Sequence, residues 1–334
     1  MKHIAPDGGY ILIFSRWSAI LFSLMVLCIF PAYSYADASG TSPAKIVTGA
    51  YVNQIYAVNL KENKFSVDLY VWFRYADNAK NPLDTMEIIN GRIESKTIIT
   101  KKKINGINYV SCRIIATINK FWDVSKFPLD KHTIEIEIED SDLDETKSIY
   151  VADTDNAGIN PDAQVRGWTI ARVQSSVKSK LYNTNYGDAS LPVSNQSSYS
   201  RYILSIDVVR PGYGQFFRLF ALMFLAAFVS LLAFLLQPHA GPRFGLGTGA
   251  LFAAAANAFV VGASLPESNA FTLADQLQLM TNVLIFLTLL ISTLSLRAFN
   301  KGKEEVALKI DLISLFSLPP LYIFGVMFVV FAAK

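Results

Sequence analysis

Between residues 37 and 210, apolar and polar side chains alternate along short segments that are separated by turn residues. In residues 133–139, Ile134, Ile136 and Ile138 share one face, and three glutamates share the other. A period of two is typical of an antiparallel strand with one buried face. The same pattern at 64–75, 109–118, 167–177 and 199–209 predicts an all-β immunoglobulin-like sandwich.

After residue 210 the pattern changes to long apolar runs, at about 216–236, 246–265, 271–296 and 312–333. Each run is long enough to cross a hydrocarbon core of about 30 Å as a helix. We therefore predict a four-helix transmembrane bundle over 211–334. Pro319 and Pro320 should kink or break the first turns of the fourth helix, and about 15 residues should link the third helix to the fourth.

The first 36 residues predict a secretory signal peptide. Lys2 and Arg16 precede an apolar run at 17–30, and small residues end at Ala36. A retained first transmembrane helix is the alternative. Cleavage after Ala36 leaves residues 37–210 as an extracytoplasmic ligand-binding domain.

The charges of the links predict the orientation. Four cations lie between the third and fourth runs (Arg297, Lys301, Lys303 and Lys309), and the link between the second and third runs has none. Cytoplasmic loops carry the excess of Lys and Arg. The chain should be a multi-pass protein of the cell (inner) membrane, with its N-terminal domain outside.

Composition excludes several other classes. Of the 334 residues 52% are hydrophobic and 17% charged, and the net charge is only +3. A cytosolic enzyme, a disordered chain and a nucleic-acid partner are therefore not expected. The histidines are too dispersed for a zinc site, and no motif indicates catalysis or a cofactor. Loss of Cys28 with the signal peptide would leave Cys112 without an intrachain disulfide partner.

Several motifs resemble those of one family. The segment from Phe121 to Asp123, followed by the KFPLD run at 126–130, resembles the characteristic loop of pentameric ligand-gated ion channels, the Cys-loop receptor superfamily. The flanking cysteines are missing, as in its prokaryotic-type members. Arg210 and the segments 228–235, 243–247 and 263–266 resemble further family segments in the family's order. The family's Trp-x-Pro segment has no counterpart.

The resemblance implies a homopentamer, in which each chain assembles with four further copies of itself and contacts membrane lipid. Its pore would be lined by the second span. The residues at the family's pore-lining positions are Pro242, Arg243, Gly245, Gly249, Phe252, Ala256 and Phe259. A ring of Phe252 side chains would act as a hydrophobic gate. The run at 242–247 resembles the anion-selective branch. Close packing of a Gly- and Ala-rich buried helix is the alternative explanation.

The resemblance also implies a ligand site between subunits, for a small molecule, a proton or an ion. Its candidate residues are Tyr70, Asp140, Asp142, Tyr182, Tyr186 and Tyr199. Tyrosines beside carboxylates suit an organic cation. The acidic run at 140–145 has two other interpretations. It is either a solvated turn or a Ca²⁺-binding loop, although it lacks the EF-hand spacing. Trp168 is expected in the core.

The implied coupling residues between the domains are Phe127, Pro128, Asp130, Arg210 and Pro266. A charge pair half-shielded from water can differ in energy between two states and bias a gate. The sequence thus predicts a ligand-gated ion channel subunit. The alternatives are a non-conducting, membrane-anchored ligand-binding sensor of the same fold, and a scaffold subunit that needs another chain to conduct.

Overall fold

The computed structural model of the chain describes residues 42–76, 79–187 and 196–333. The predicted signal peptide at 1–36 lies outside these residues, as does part of the hairpin at 181–199. Within them, ten strands and one short helix come first, and long apolar helices follow.

Ten strands form two sheets. They are β1 Ala44–Asn59, β2 Lys64–Tyr75, β3 Met86–Ile88, β4 Gly91–Ile104, β5 Ile107–Asn119, β6 Lys131–Asp140, β7 Ser148–Ala152, β8 Gly158–Ile159, β9 Thr169–Tyr182 and β10 Ser197–Val209, with the short helix α1 Pro82–Thr85 before β3. One sheet has the order β4-β5-β2-β1-β7, with β8 also paired to β1, and the other has the order β3-β6-β10-β9. Strands β7 and β8 run parallel to β1, and the other pairs are antiparallel.

The alternation of apolar residues produces one core between the sheets. Ile134, Ile136 and Ile138 of β6 are fully buried, as are Val67 and Leu69 of β2. These residues belong to a single hydrophobic cluster with residues of β10 and β5. The two-sheet β-rich domain is therefore established, whereas its immunoglobulin-like character stays a prediction.

Four helices are long and apolar enough to cross a membrane. They are α2 Gly214–Leu231, which continues as a 3₁₀ turn over Leu232–Leu235, α3 Pro242–Gly262, α4 Leu273–Asn300 and α5 Glu304–Ala332. The chain is a multi-pass membrane protein. Pro242 occupies the first turn of α3, where its missing N–H costs no helical hydrogen bond.

The fourth span differs from the expectation. Helix α5 begins at Glu304 and continues through Pro319 and Pro320, so the link from α4 is only Lys301–Lys303. Its polar first turns are helical because Ala307 and Asp311 are buried one turn apart. Helix α5 packs along α4, and neighbouring helices allow proline inside membrane spans.

Candidate functional site

A cavity of about 350 Å³ lies between the loop after β6 and the β9–β10 hairpin. It brings together five of the six predicted ligand residues, and its lining is Glu87, Ile89, Glu139, Asp140, Ser141, Asp142, Tyr182, Asn185, Tyr186 and Tyr199. The ring centroids of Tyr186 and Tyr199 each lie 5.8 Å from that of Tyr182, in edge-to-face contact. The cavity thus has one aromatic wall and one acidic wall.

The position of Tyr182 is fixed by a buried network. Its hydroxyl donates to Glu139 Oε2 at 2.9 Å and accepts from Arg201 Nη2 at 2.8 Å. Arg201 also pairs with Glu137 and Glu139. Burial and the hydrogen bond to Glu139 raise the pKa of Tyr182 to about 12, so the phenol stays neutral. This network gives the aromatic wall a defined geometry.

The two predicted aspartates have different local roles. Asp140 is buried and accepts from the backbone N–H groups of Asp142 and Leu143, both at 2.9 Å, and from the Thr85 hydroxyl at 2.9 Å. Asp142 is exposed and pairs with Lys80 at 2.7 Å. The acidic run is therefore bonded as a turn, and no metal-binding group of His, Cys, Asp and Glu occurs in the described segments.

Glu87 and Glu139, which the sequence analysis missed, add negative charge to this cavity. They face each other across the β3–β6 pair. Burial, Glu139 and Asp140 raise the pKa of Glu87. Arg201 is shared by Glu137 and Glu139, and Lys80 pairs with Asp142 and also feels the charge of Asp140, so the carboxylates around the cavity outnumber the cations that pair with them. The site therefore favours a cation.

Tyr70 lies apart from the cavity. It is on β2, directly opposite Arg113 of β5, whose guanidinium carbon is 5.9 Å from the Tyr70 ring centroid. Arg113 forms two hydrogen bonds to Asp68, at 2.9 and 2.6 Å. Within one chain, Tyr70 thus belongs to a different face of the domain.

A second polar cluster lies where the β-rich domain meets the helices. Asp130 is buried, with one oxygen 2.7 Å from His132 Nε2 and the other 3.2 Å from Arg210 Nε. Burial opposes ionisation of Asp130, but the His132 hydrogen bond and the Arg210 charge outweigh it, so its pKa is below the usual value. The guanidinium of Arg210 stacks 3.7 Å from the Trp168 ring centroid.

The other predicted coupling residues surround this cluster. Phe127 is buried with its ring 5.7 Å from Arg210, and Pro128 is buried beside it in sequence. Pro266 lines an adjacent cavity of about 400 Å³ with Lys61 and Val124. The backbone N–H of Leu273, at the start of α4, donates to the Ser125 carbonyl at 2.8 Å. The loop before β6 thus contacts the helices directly.

Helix α3 has two unlike faces. Its packed face holds Gly247, Ala250, Ala254 and Asn257. Its exposed face contains most of the predicted pore residues, namely Pro242, Gly245, Gly249, Phe252, Ala256 and Phe259. Phe252 and Phe259 are 78% and 79% exposed. Thr248, which the sequence analysis missed, lies on this side one turn before Phe252.

Arg243, the remaining predicted pore residue, does not lie on that exposed face. Its side chain is fully buried and pairs with Asp311 of α5, to which Arg243 Nη1 donates at 2.7 Å. Ser295 of α4 also donates to Asp311, at 2.9 Å. An unpaired buried charge would be costly, so the pairing of Arg243 with Asp311 orients its side chain toward α5.

No protein-family profile and no curated protein matches this chain.

Proposed function

We propose that the chain is one subunit of a homopentameric ligand-gated ion channel. The exposed stripe on α3 carries this proposal, because two large aromatic side chains are exposed on a charge-free face whose opposite side is packed. Five copies with this stripe toward a common axis would form rings at Phe252 and Phe259. Apolar rings of this kind gate by dewetting. The β-rich domain followed by four apolar helices is compatible with that assembly.

The acidic and aromatic cavity would bind the ligand, an organic cation. Glu87, Asp140 and Asp142 supply carboxyl groups, and the Tyr182, Tyr186 and Tyr199 rings supply electron-rich faces. Tyr70 would reach the site only from a neighbouring copy. Binding that is tighter in the open state would shift the closed–open equilibrium of the pore.

The deciding experiment is current recording from the full chain in planar bilayers under asymmetric KCl. We expect Phe252→Ser to produce steady current without ligand, because it replaces the apolar ring with hydroxyls. Phe316→Ser is the matched control, since Phe316 is a similarly exposed phenylalanine (71%) on α5. Current from neither variant, with pentamers shown by mass, would contradict the channel and favour the non-conducting sensor.

The same recordings determine the sign of the permeant ion. The pairing of Arg243 with Asp311 removes the charge on which an anion preference would rest. The reversal potential of Phe252→Ser in the KCl gradient therefore decides between chloride and potassium.

The class of ligand is tested in a separate experiment. The affinity of the full chain for a panel of primary and quaternary amines is measured by titration calorimetry. Tyr186→Leu should weaken binding about two- to tenfold, the usual worth of a cation–π contact. Tyr56→Leu, a change at an exposed tyrosine (41%) on β1, should leave binding unchanged. Equal affinities in all three proteins would contradict the cavity as the amine site.

A further inference from the structure

The first span carries one charge that the channel proposal does not use. Arg218 is the only charged residue of α2 and lies in its second turn. It is exposed and has no hydrogen-bond or ion-pair partner among the described residues. A guanidinium within an apolar span is costly unless it reaches an anion or the interface.

A cavity of about 400 Å³ lies between the β-rich domain and the spans, and two residues of α2, Gln215 and Leu219, line it. Arg166 and Arg210 line it from the side of the β-rich domain. Arg218 follows Gln215 by three positions, so the two are neighbours on one side of α2. Arg166 is exposed and also has no partner among the described residues. Two guanidinium groups without a partner among the described residues therefore lie near this junction, Arg166 in the cavity lining and Arg218 one helical turn from it.

The nearby acidic group cannot neutralise them. Asp130 is already shared between Arg210 and His132. Glu267 and Asp275 line the separate cavity around Pro266. The junction therefore attracts an anion from outside the chain.

The surface below Arg218 indicates what kind of anion fits. Leu222 and Leu225 follow Arg218 by four and seven positions and are 52% and 59% exposed. This spacing makes a single stripe, cationic at one end and apolar along the helix. The stripe matches an amphiphile with a phosphate headgroup and a hydrocarbon tail.

We propose that Arg166 and Arg218 bind the phosphate of an anionic phospholipid, in the leaflet next to the β-rich domain, with its acyl chain along Leu222 and Leu225. This site requires only that the chain spans a membrane. It does not depend on conduction.

The test uses the full chain in phosphatidylcholine nanodiscs that contain a dansyl-headgroup phospholipid. Energy transfer from tryptophan reports labelled lipid near the junction, where the Trp122 and Trp168 rings stack 6.4 Å apart, and unlabelled phosphatidylglycerol is titrated as competitor. We expect Arg166→Gln and Arg218→Gln each to weaken the apparent affinity for phosphatidylglycerol about fivefold, the usual worth of one cation near a charged bilayer. Arg218→Lys, which keeps the positive charge, should retain most of the affinity, and an unchanged thermal unfolding midpoint of Arg218→Gln would show that its loss of affinity is not misfolding.

Lys102→Gln is the matched control. It removes one cation from the β4–β5 hairpin, roughly 40 Å along β5 from the loop that contacts α4, and it should leave the titration unchanged. Unchanged affinity in the Arg166→Gln/Arg218→Gln double variant would overturn the proposal. Equal competition by soluble glycerol phosphate would overturn the lipid as occupant. A loss of pentamers in Arg218→Gln without a change in lipid affinity would instead assign Arg218 to a neighbouring copy.

Discussion

At the scale of single residues, buried charges in this protein have partners that are adjacent in the fold, and Arg210 and Arg243 reach theirs from distant segments. Asp130 is shared by His132 and Arg210, and Arg243 is paired with Asp311. Such pairs add little net stability, but the loss of one partner leaves the other charge buried and unpaired. Each pair is therefore a sensitive point for substitution.

Asp130→Asn should destabilise the full chain at pH 7 by about 3–5 kcal/mol, because Arg210 would remain buried without a counter-charge. The pKa of Asp130 is below its ordinary value, so its contribution is present above the unfolded pKa and is lost as pH falls through the folded one. Thermal unfolding in detergent from about pH 7 to pH 3 should show the two proteins converging as the carboxyl is protonated.

Asp162→Asn, at an exposed aspartate, is the control and should match the wild type across this pH range. A constant difference between Asp130→Asn and the wild type at every pH would contradict the assigned role of the ionised carboxylate.

At the scale of elements, the close approach of β1 to a side chain of β2 depends on a glycine. A Cβ on Gly49 of β1 would lie 2.3 Å from the Trp72 ring of β2. Trp72 Nε1 donates to Asp153 Oδ2 at 2.9 Å, which holds the indole in that position. The β1–β2 pair therefore requires glycine at residue 49.

Gly49→Ala should lower the free energy of unfolding by about 1–3 kcal/mol, because the rigid indole must move from Asp153. The matched change is Gly158→Ala in β8, where the nearest atom to a new Cβ is 3.8 Å away, on Tyr51. Chemical denaturation of both variants should separate them. Equal stabilities would show that the β1–β2 pair accommodates the methyl group without loss.

At the scale of the whole molecule, the β-rich domain and the spans meet through the 120–130 loop and the ends of the helices. The domain should lie outside the cell, because Lys301, Lys303 and Arg297 cluster at the opposite end of the spans from Ser125 and Leu273.

Lys102→Cys should react with a membrane-impermeant maleimide on intact spheroplasts, whereas Lys301→Cys should react only after permeabilisation. Cys112 is buried, so the unsubstituted chain gives the background. The reverse labelling pattern would show that the β-rich domain is cytoplasmic.

Local periodicity was enough to predict part of the fold. Alternation predicted five of the ten strands, namely β2, β5, β6, β9 and β10, and long apolar runs predicted the four spans, because burial on one or all sides leaves a repeat that is visible along the chain. The longer strands β1 and β4 were missed. Helix ends were less predictable: the polar start of α5 is helical only because Ala307 and Asp311 pack inward.

Which charged residues meet depends on the packing of distant elements. Asp311 is 68 positions from Arg243, and Glu87 faces Glu139 through strand register. Neither pairing leaves a periodic signal in the sequence, because each depends on how two distant elements align. The motif residues Asp130 and Arg210 could be expected to meet, but His132 and Trp168 around them could not. Burial then determines which of these charged residues pair, since a charge removed from water is stable only beside a group that neutralises it.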